Sequence, residues 1–73
     1  MSYTPDPLKM ARIICDASLR DCRANPNNSL NQWHDGRTTA CALMFPDPEI
    51  QAAANEVRFL TSHYHLRHYG ASA

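Results

Sequence analysis

Two Asp-Pro pairs constrain the fold of this chain more than any other feature. Asp6-Pro7 and Asp47-Pro48 each place a side-chain acceptor before a proline whose φ angle suits the first turn of a helix. After the second pair, apolar residues recur at helical spacing until Gly70, a residue type that commonly follows a helix end. The pattern therefore predicts a helix over residues 47–69, about 33 Å long, against which the rest of the chain must pack.

The first pair predicts a second amphipathic helix, from Pro7 to Arg23. Its apolar arc is wide, so its charged residues are confined to one narrow stripe. We call this the basic stripe of the first helix; it consists of Lys9, Arg12, Asp16, Arg20 and Arg23. One interpretation is a solvated face in which Asp16 pairs with the arginines four residues away on either side. The other is a basic patch for an acidic partner surface or a phosphate backbone.

The middle of the chain is less regular. Residues 24–28, ANPNN, favour a turn, and a short helical segment through Leu30, Trp33 and His34 is expected to end at Asp35-Gly36. Residues 38–45 favour a helix, although their threonines and Phe45 also tolerate a strand. We therefore predict a small all-α single domain of three to four helices.

The apolar pattern also predicts the core and the ends of the domain, which should span residues 1–73. Residues 1–5 are expected to form a mobile arm with Tyr3 as its anchoring side chain, and residues 71–73 a mobile tail. Trp33 is expected to anchor the core, the alternative being an exposed interface hot spot. The predicted core comprises Leu8, Ala11, Ile14, Leu19, Leu30, Trp33, Leu43, Ile50, Val57 and Leu60.

Length and charge limit the classes of function. A chain of 73 residues has little room for a deep pocket, which argues against an enzyme. Seven basic and seven acidic residues give a net charge of zero, which argues against strong non-specific binding to nucleic acid. Three cysteines without a C-x-x-C pair indicate reduced thiols. No apolar run has the roughly 20 residues that a membrane span needs.

The histidines near the end of the long helix are the most conspicuous chemical motif. His65 and His68 would share a helix face, and such a pair can hold a metal. No second ligand pair with zinc-site spacing accompanies them, so we interpret His63, His65, Arg67 and His68 as cations at a helix end. The chain also lacks a glycine-rich phosphate loop and paired carboxylates. We therefore expect no metal, cofactor, small-molecule substrate or catalytic residue.

A helix-turn-helix DNA-binding protein is the alternative that the fold class leaves open. Three helices in a chain of this length suit such a module. The polar positions of the long helix that would face DNA are Gln51, Asn55, Arg58 and Ser62. Glu49 and Glu56 would oppose phosphates, and no basic arm is present.

The opening MSYTPDPLKMARIICDASLRDCR and the closing HYHLRHYGASA resemble the small phage-encoded transcription regulators of the Xanthomonas phage type. The resemblance implies binding to the β′ subunit of bacterial RNA polymerase near its N-terminus, with contact to β, in the cytoplasm of the host. It further implies inhibition of initiation through loss of σ factor, together with antitermination. It transfers no residue roles. On physical grounds we expect the partner contacts to be Tyr3, Lys9, Arg12, Arg20, Arg23 and Arg67.

Overall fold

The computed structural model describes residues 5–65, with side chains up to residue 63. In this part of the chain three helices follow one another and no strand is present: α1 (Pro7–Ala24), α2 (Asn31–Met44) and α3 (Pro48–His65). The prediction of a small all-α domain is confirmed. Residues 1–4 of the predicted arm, with Tyr3, lie outside the described residues, as do Arg67, His68 and the tail.

Both Asp-Pro pairs begin helices as predicted. A carboxylate oxygen of Asp6 accepts the backbone N–H of Lys9 at 3.2 Å, and Pro7 begins α1. Asp47 Oδ2 accepts the backbone N–H groups of Glu49 at 3.1 Å and Ile50 at 3.2 Å. These bonds satisfy N–H groups that have no partner inside the helix. The predicted end of the first helix is correct to one residue, whereas the end predicted for the long helix lies outside the described residues.

Residues 31–44 form one continuous helix, so the predicted break at Asp35-Gly36 is wrong. Tertiary contacts hold this turn in helical form, because Asp35 accepts a 3.4 Å hydrogen bond from Arg58 of α3. The hydroxyl of Thr38 donates to the carbonyls of His34 and Asp35 at 3.0 and 3.2 Å. A glycine in a helix interior costs about 1 kcal/mol relative to alanine, a cost that tertiary packing of the helix overrides. The prediction of a helix in the segment beginning at Thr38 is confirmed.

The helix α2 packs antiparallel to α3 along almost its whole length. Near the connecting turn, Gln51 Nε2 donates to the carbonyl of Ala42 at 2.8 Å. At the far end, the Thr61 hydroxyl donates to the carbonyl of Asn31 at 3.2 Å. The two bonds therefore join the start of each helix to the end of the other, as in an αα-hairpin.

Two arginines of α1 fasten it to α3, which runs in the same direction. Arg12 donates to both carboxylate oxygens of Asp47, at 2.5 and 3.2 Å. Eleven residues later, Arg23 binds both oxygens of Glu56, at 2.6 and 2.7 Å. The hydrogen bonds from Arg12 hold the pKa of Asp47 below its ordinary value of 3.8, and those from Arg23 lower the pKa of Glu56 below 4.5.

The core between the helices is built from small residues. Ala11 and Cys15 of α1 meet Ile50 and Ala53 of α3 in a buried cluster. Small side chains at these positions let the helix backbones approach closely, and Val57 continues the stripe along α3. Partly buried residues surround this cluster; they are Leu8, Leu19, Cys41, Ala42 and Phe45. Of the predicted core, Ala11, Ile50 and Val57 are buried, and Leu8, Ile14, Leu19 and Leu60 are half-buried.

Three predicted core residues are exposed instead: Leu30, Trp33 and Leu43, at 63%, 57% and 82% of their surface. The continuity of α2 explains the error for Trp33 and Leu43, whereas Leu30 precedes the helix as its N-cap residue. The core side of this helix is set by buried Asn31 and Thr38, seven residues apart. Trp33 lies about 200° around the helix from Asn31, on the outer side. A break at Asp35-Gly36 would have allowed the segments before and after it to turn different faces towards the core, which is what the prediction assumed.

Replacing Ile50 by alanine should lower the free energy of unfolding by about 2–5 kcal/mol, because the methyl groups removed lie in a fully buried cluster. The matched control is Ile13→Ala, since Ile13 is 52% exposed and alanine favours helix; its effect should be below about 1 kcal/mol. Urea unfolding followed by circular dichroism measures both. Equal effects would contradict the assignment of the core.

The stability of the protein should fall in acid through the carboxylates that pair with arginine. Their pKa values are lowered by folding, so their stabilisation is complete above the ordinary values of 3.8 and 4.5. It is lost as the pH falls through the lower values of the folded state. Asp47→Asn should therefore be less stable than the natural chain at pH 6 and lose less stability on acidification.

Asp16→Asn provides the control for that experiment, because the Asp16 carboxylate makes no hydrogen bond or ion pair with any residue between 5 and 63. Its urea unfolding curves at pH 6 and pH 3 should match those of the natural chain. An Asp47→Asn variant whose loss of stability in acid is the same as that of the natural chain would show that the Arg12–Asp47 pair contributes nothing to the pH dependence.

Candidate functional site

The basic stripe of α1 divides into two pairs of cations with different roles. Arg12 and Arg23 turn towards α3, where they bind Asp47 and Glu56, and Arg12 also lies 3.4 Å from Glu49. Ion pairs within the domain therefore occupy two of the residues predicted to contact a partner. The predicted pairing of Asp16 with the arginines four residues away is not present: Arg12 is bound to α3 instead, and Arg20 makes no ion pair with a described residue.

Lys9 and Arg20 form the second pair, and both remain exposed. Neither side chain makes an ion pair with a described residue. They are eleven residues apart, like Arg12 and Arg23, but lie about 60° further around the helix, beyond the reach of α3. These two cations are thus the predicted contact residues within the described chain that remain available to a partner.

Exposed apolar side chains lie beside these cations. Ile13 is 52% exposed and stands within about 40° of both Lys9 and Arg20 around the helix. Met10, 48% exposed, continues the apolar strip towards α2. Apolar groups bordered by unpaired cations are a combination that suits a protein–protein contact.

Trp33 gives α2 an exposed aromatic centre. The guanidinium of Arg37 stands 5.0 Å from the centroid of the indole ring, in cation–π geometry. The ring of His34 packs edge-on against the same indole, with centroids 5.1 Å apart. The indole is therefore held in place while more than half of its surface faces outward, which agrees with the alternative of an interface residue.

Ser18, His34 and Asp21 form a chain of contacts that sequence inspection missed. Ser18 Oγ lies 2.9 Å from His34 Nδ1, and His34 Nε2 lies 3.6 Å from Asp21 Oδ2. These residue types also form nucleophilic triads, but a triad needs a serine that a substrate can reach. Only 2% of Ser18 is exposed, so this contact chain fastens α1 to α2.

The cysteines are placed as small apolar residues. Burial raises the pKa of the Cys15 thiol to about 11, with further contributions from the neighbouring thiol of Cys41. Burial also raises the pKa of Cys22. A thiol with a raised pKa supplies little thiolate at neutral pH, so neither residue is suited to act as a nucleophile.

The histidine motif is only partly within the described chain. His63 packs on Phe59 with ring centroids 4.8 Å apart. Within residues 5–63 no group of three or more potential ligands is arranged to hold a metal. The side chain of His65 and the whole of His68 lie outside the described residues.

Two of the four residues expected to read DNA, Gln51 and Arg58, are hydrogen-bonded to α2. Arg58 donates to Thr39 at 2.8 Å and to Asp35 at 3.4 Å, while Gln51 is bound to the carbonyl of Ala42. Gln51, Arg58 and exposed Asn55 line an open cleft of about 210 Å³ between α2 and α3. In a helix-turn-helix the two helices cross at roughly 90–120°, whereas α2 and α3 stay in contact along their length.

The described part of the chain has no helix that is both long and apolar enough to cross a membrane. Comparison with protein-family models gives no match, and comparisons with curated proteins and with solved structures also give none.

Proposed function

We propose that this protein is a non-catalytic regulator that binds the RNA polymerase of a bacterial host. In this proposal it contacts the N-terminal region of β′ together with β, in the host cytoplasm, and inhibits initiation by displacing σ factor. The same contact promotes antitermination. The proposal rests on the resemblance of both ends of the chain to phage regulators, and on one structural observation: α1 presents unpaired cations beside exposed apolar side chains.

The arrangement on α1 has the properties that such a regulator needs. Lys9 and Arg20 attract an acidic surface and speed up its association, whereas Met10 and Ile13 lose their contact with water when the complex forms. The net charge of zero gives little long-range attraction to nucleic acid. A regulator of this type therefore binds protein rather than the DNA that the polymerase carries.

The helix-turn-helix alternative receives less support from the same geometry. Arg58, the cation on α3 that would contact DNA, binds Asp35 and Thr39 instead. Gln51 donates a hydrogen bond to the carbonyl of Ala42 in α2. A reader of DNA would show an affinity that falls steeply with salt, with a slope that counts the phosphates contacted. A shift of a DNA duplex in a gel at low salt would support this alternative over the polymerase proposal.

Purified polymerase tests the proposal directly. The tagged chain is mixed with core enzyme, or with holoenzyme containing σ, and the bound subunits are identified by mass spectrometry. Stoichiometric β and β′ with depleted σ is the expected result. Failure to retain polymerase at low salt would overturn the proposal.

Removing the unpaired cations should weaken this complex. The double variant Lys9→Gln, Arg20→Gln should bind core polymerase at least tenfold more weakly, because it loses the charges that face the partner but no ion pair of the fold. The control is Asn55→Glu, Ser62→Glu, which changes the net charge equally at exposed positions of α3. Biolayer interferometry should give that control nearly natural affinity.

Equal weakening by both double variants would show that net charge, rather than the α1 surface, controls binding. Circular dichroism melts of the variants establish that each is folded. If the Lys9→Gln, Arg20→Gln variant binds polymerase as tightly as the natural chain does, these two residues are excluded from the contact.

A further inference from the structure

The pair of helices α1 and α2 has two sides, and α3 covers only one of them. Asp21 lies 3.6 Å from His34, which identifies the side of α1 that faces α2. Met10, Ile14 and Ala17 share that side, because they precede Asp21 by eleven, seven and four residues. This row therefore borders α2 on the side away from the arginines that hold α3.

A matching row runs along α2. Trp33, Arg37, Ala40 and Met44 follow one another at the same helical spacing, opposite to the residues that contact α3. Trp33 packs on His34, and His34 contacts Ser18 and Asp21 of α1 at 2.9 and 3.6 Å, which places this row beside α1. We call the two rows together the open groove; it consists of Met10, Ile14, Ala17 and Asp21 with Trp33, Arg37, Ala40 and Met44.

The open groove exposes large apolar side chains without a covering element among the described residues. Met10, Trp33 and Met44 are 48%, 57% and 73% exposed. Methionine adapts its shape to a partner, and tryptophan is the residue type most enriched in interface hot spots. Two rows of this kind on antiparallel helices form the receptor for a third helix.

The covered side of the pair indicates the chemistry of that helix. There α3 contributes a narrow apolar stripe, with Ile50 and Val57 buried, and carboxylates at its edge. The carboxylates of Asp47 and Glu56 bind cations of α1. The occupant of one side is thus an amphipathic helix whose acidic residues match the arginines of α1, while its Arg58 matches Asp35 of α2.

On the side of the α1–α2 pair that α3 leaves open, three cations have no carboxylate bound to them among the described residues. Arg37 lies within the open groove, and Lys9 and Arg20 follow its α1 edge; none of them forms an ion pair with a residue between 5 and 63. Two carboxylates lie on this side: Asp21, next to His34 at the Trp33 end, and exposed Asp16, between Lys9 and Arg20 on the α1 edge. A second copy of the chain would add more cations than carboxylates to this side, whereas an acidic helix would supply a carboxylate for each of the three cations.

We propose that the open groove binds an amphipathic helix of a partner protein, with an apolar stripe seated on Trp33 and Met44 and carboxylates facing Arg37, Lys9 and Arg20. This inference rests on the proposed function, because it takes the helix to belong to the polymerase. It assigns the main anchoring role to Trp33, a residue outside the basic stripe. The cations at the edges set the orientation of the helix.

Purified core RNA polymerase is the probe that tests this groove. Trp33→Ala and Met44→Ala should each weaken binding at least tenfold in biolayer interferometry, because each removes an anchor. Leu43→Ala is the matched control, since Leu43 lies on the same helix, is 82% exposed and faces away from the groove. Phe59→Ala is a second control, on α3. Both should remain within about twofold of the natural affinity.

Hydroxyl-radical footprinting of the natural chain gives a readout that does not depend on a variant being folded. Trp33, Met44 and Met10 should be protected from oxidation in the complex, whereas Phe59 should react as it does in the free protein. The natural chain could bind polymerase tightly while Trp33 stays reactive and Trp33→Ala keeps its affinity. That result would overturn the inference about the open groove and leave the proposed function intact. Failure of the natural chain to bind polymerase would overturn both. A concentration-dependent dimer in sedimentation, abolished by Trp33→Ala, would show that a second copy is the occupant and would overturn the inference.

Discussion

The structure depends on one carboxylate that performs two tasks. Asp47 caps the start of α3 by accepting two backbone N–H groups, and the same carboxylate binds Arg12 of α1 through both oxygens. The side chain is only 10% exposed, so water replaces these bonds poorly if either partner is removed. One residue thus determines where α3 begins and which part of α1 it meets. The second pair, Arg23–Glu56, fixes the direction in which the two helices run together.

The size of the core residues explains why so much apolar surface remains outside. Ala11, Cys15, Ala53 and Ala54 occupy much of the centre, where the helices approach closely and only two large apolar side chains, Ile50 and Val57, are fully buried among the described residues. Most other bulky apolar residues therefore lie around the bundle rather than within it. Trp33 is one of them, and it lies on the same outer side as Arg37. Function and packing are linked here: the compact centre creates the exposed face that a partner can cover.

The sequence predicts those features of the fold that depend on neighbouring residues. The two Asp-Pro signals are local, and both helix starts were located correctly. The continuity of α2 depends on its packing against helices far away in the chain, including the contact of Asp35 with Arg58, so the local signal of Asp35-Gly36 was misleading. The division of the basic stripe could not be predicted for a similar reason. Arg12 and Arg20 each lie four residues from Asp16 on the same helix, so the sequence treats them alike. Only the position of α3 decides which of the two arginines is paired.

A double-mutant cycle on Arg12 and Asp47 tests most directly the claim that their contact organises the bundle. The free energies of unfolding in urea are measured for the natural chain, Arg12→Ala, Asp47→Ala and the double variant. Since the two side chains bind each other, the double variant should lose clearly less stability than the sum of the single losses. Strict additivity of the two losses would contradict the account, because it would mean that the residues stabilise the fold independently.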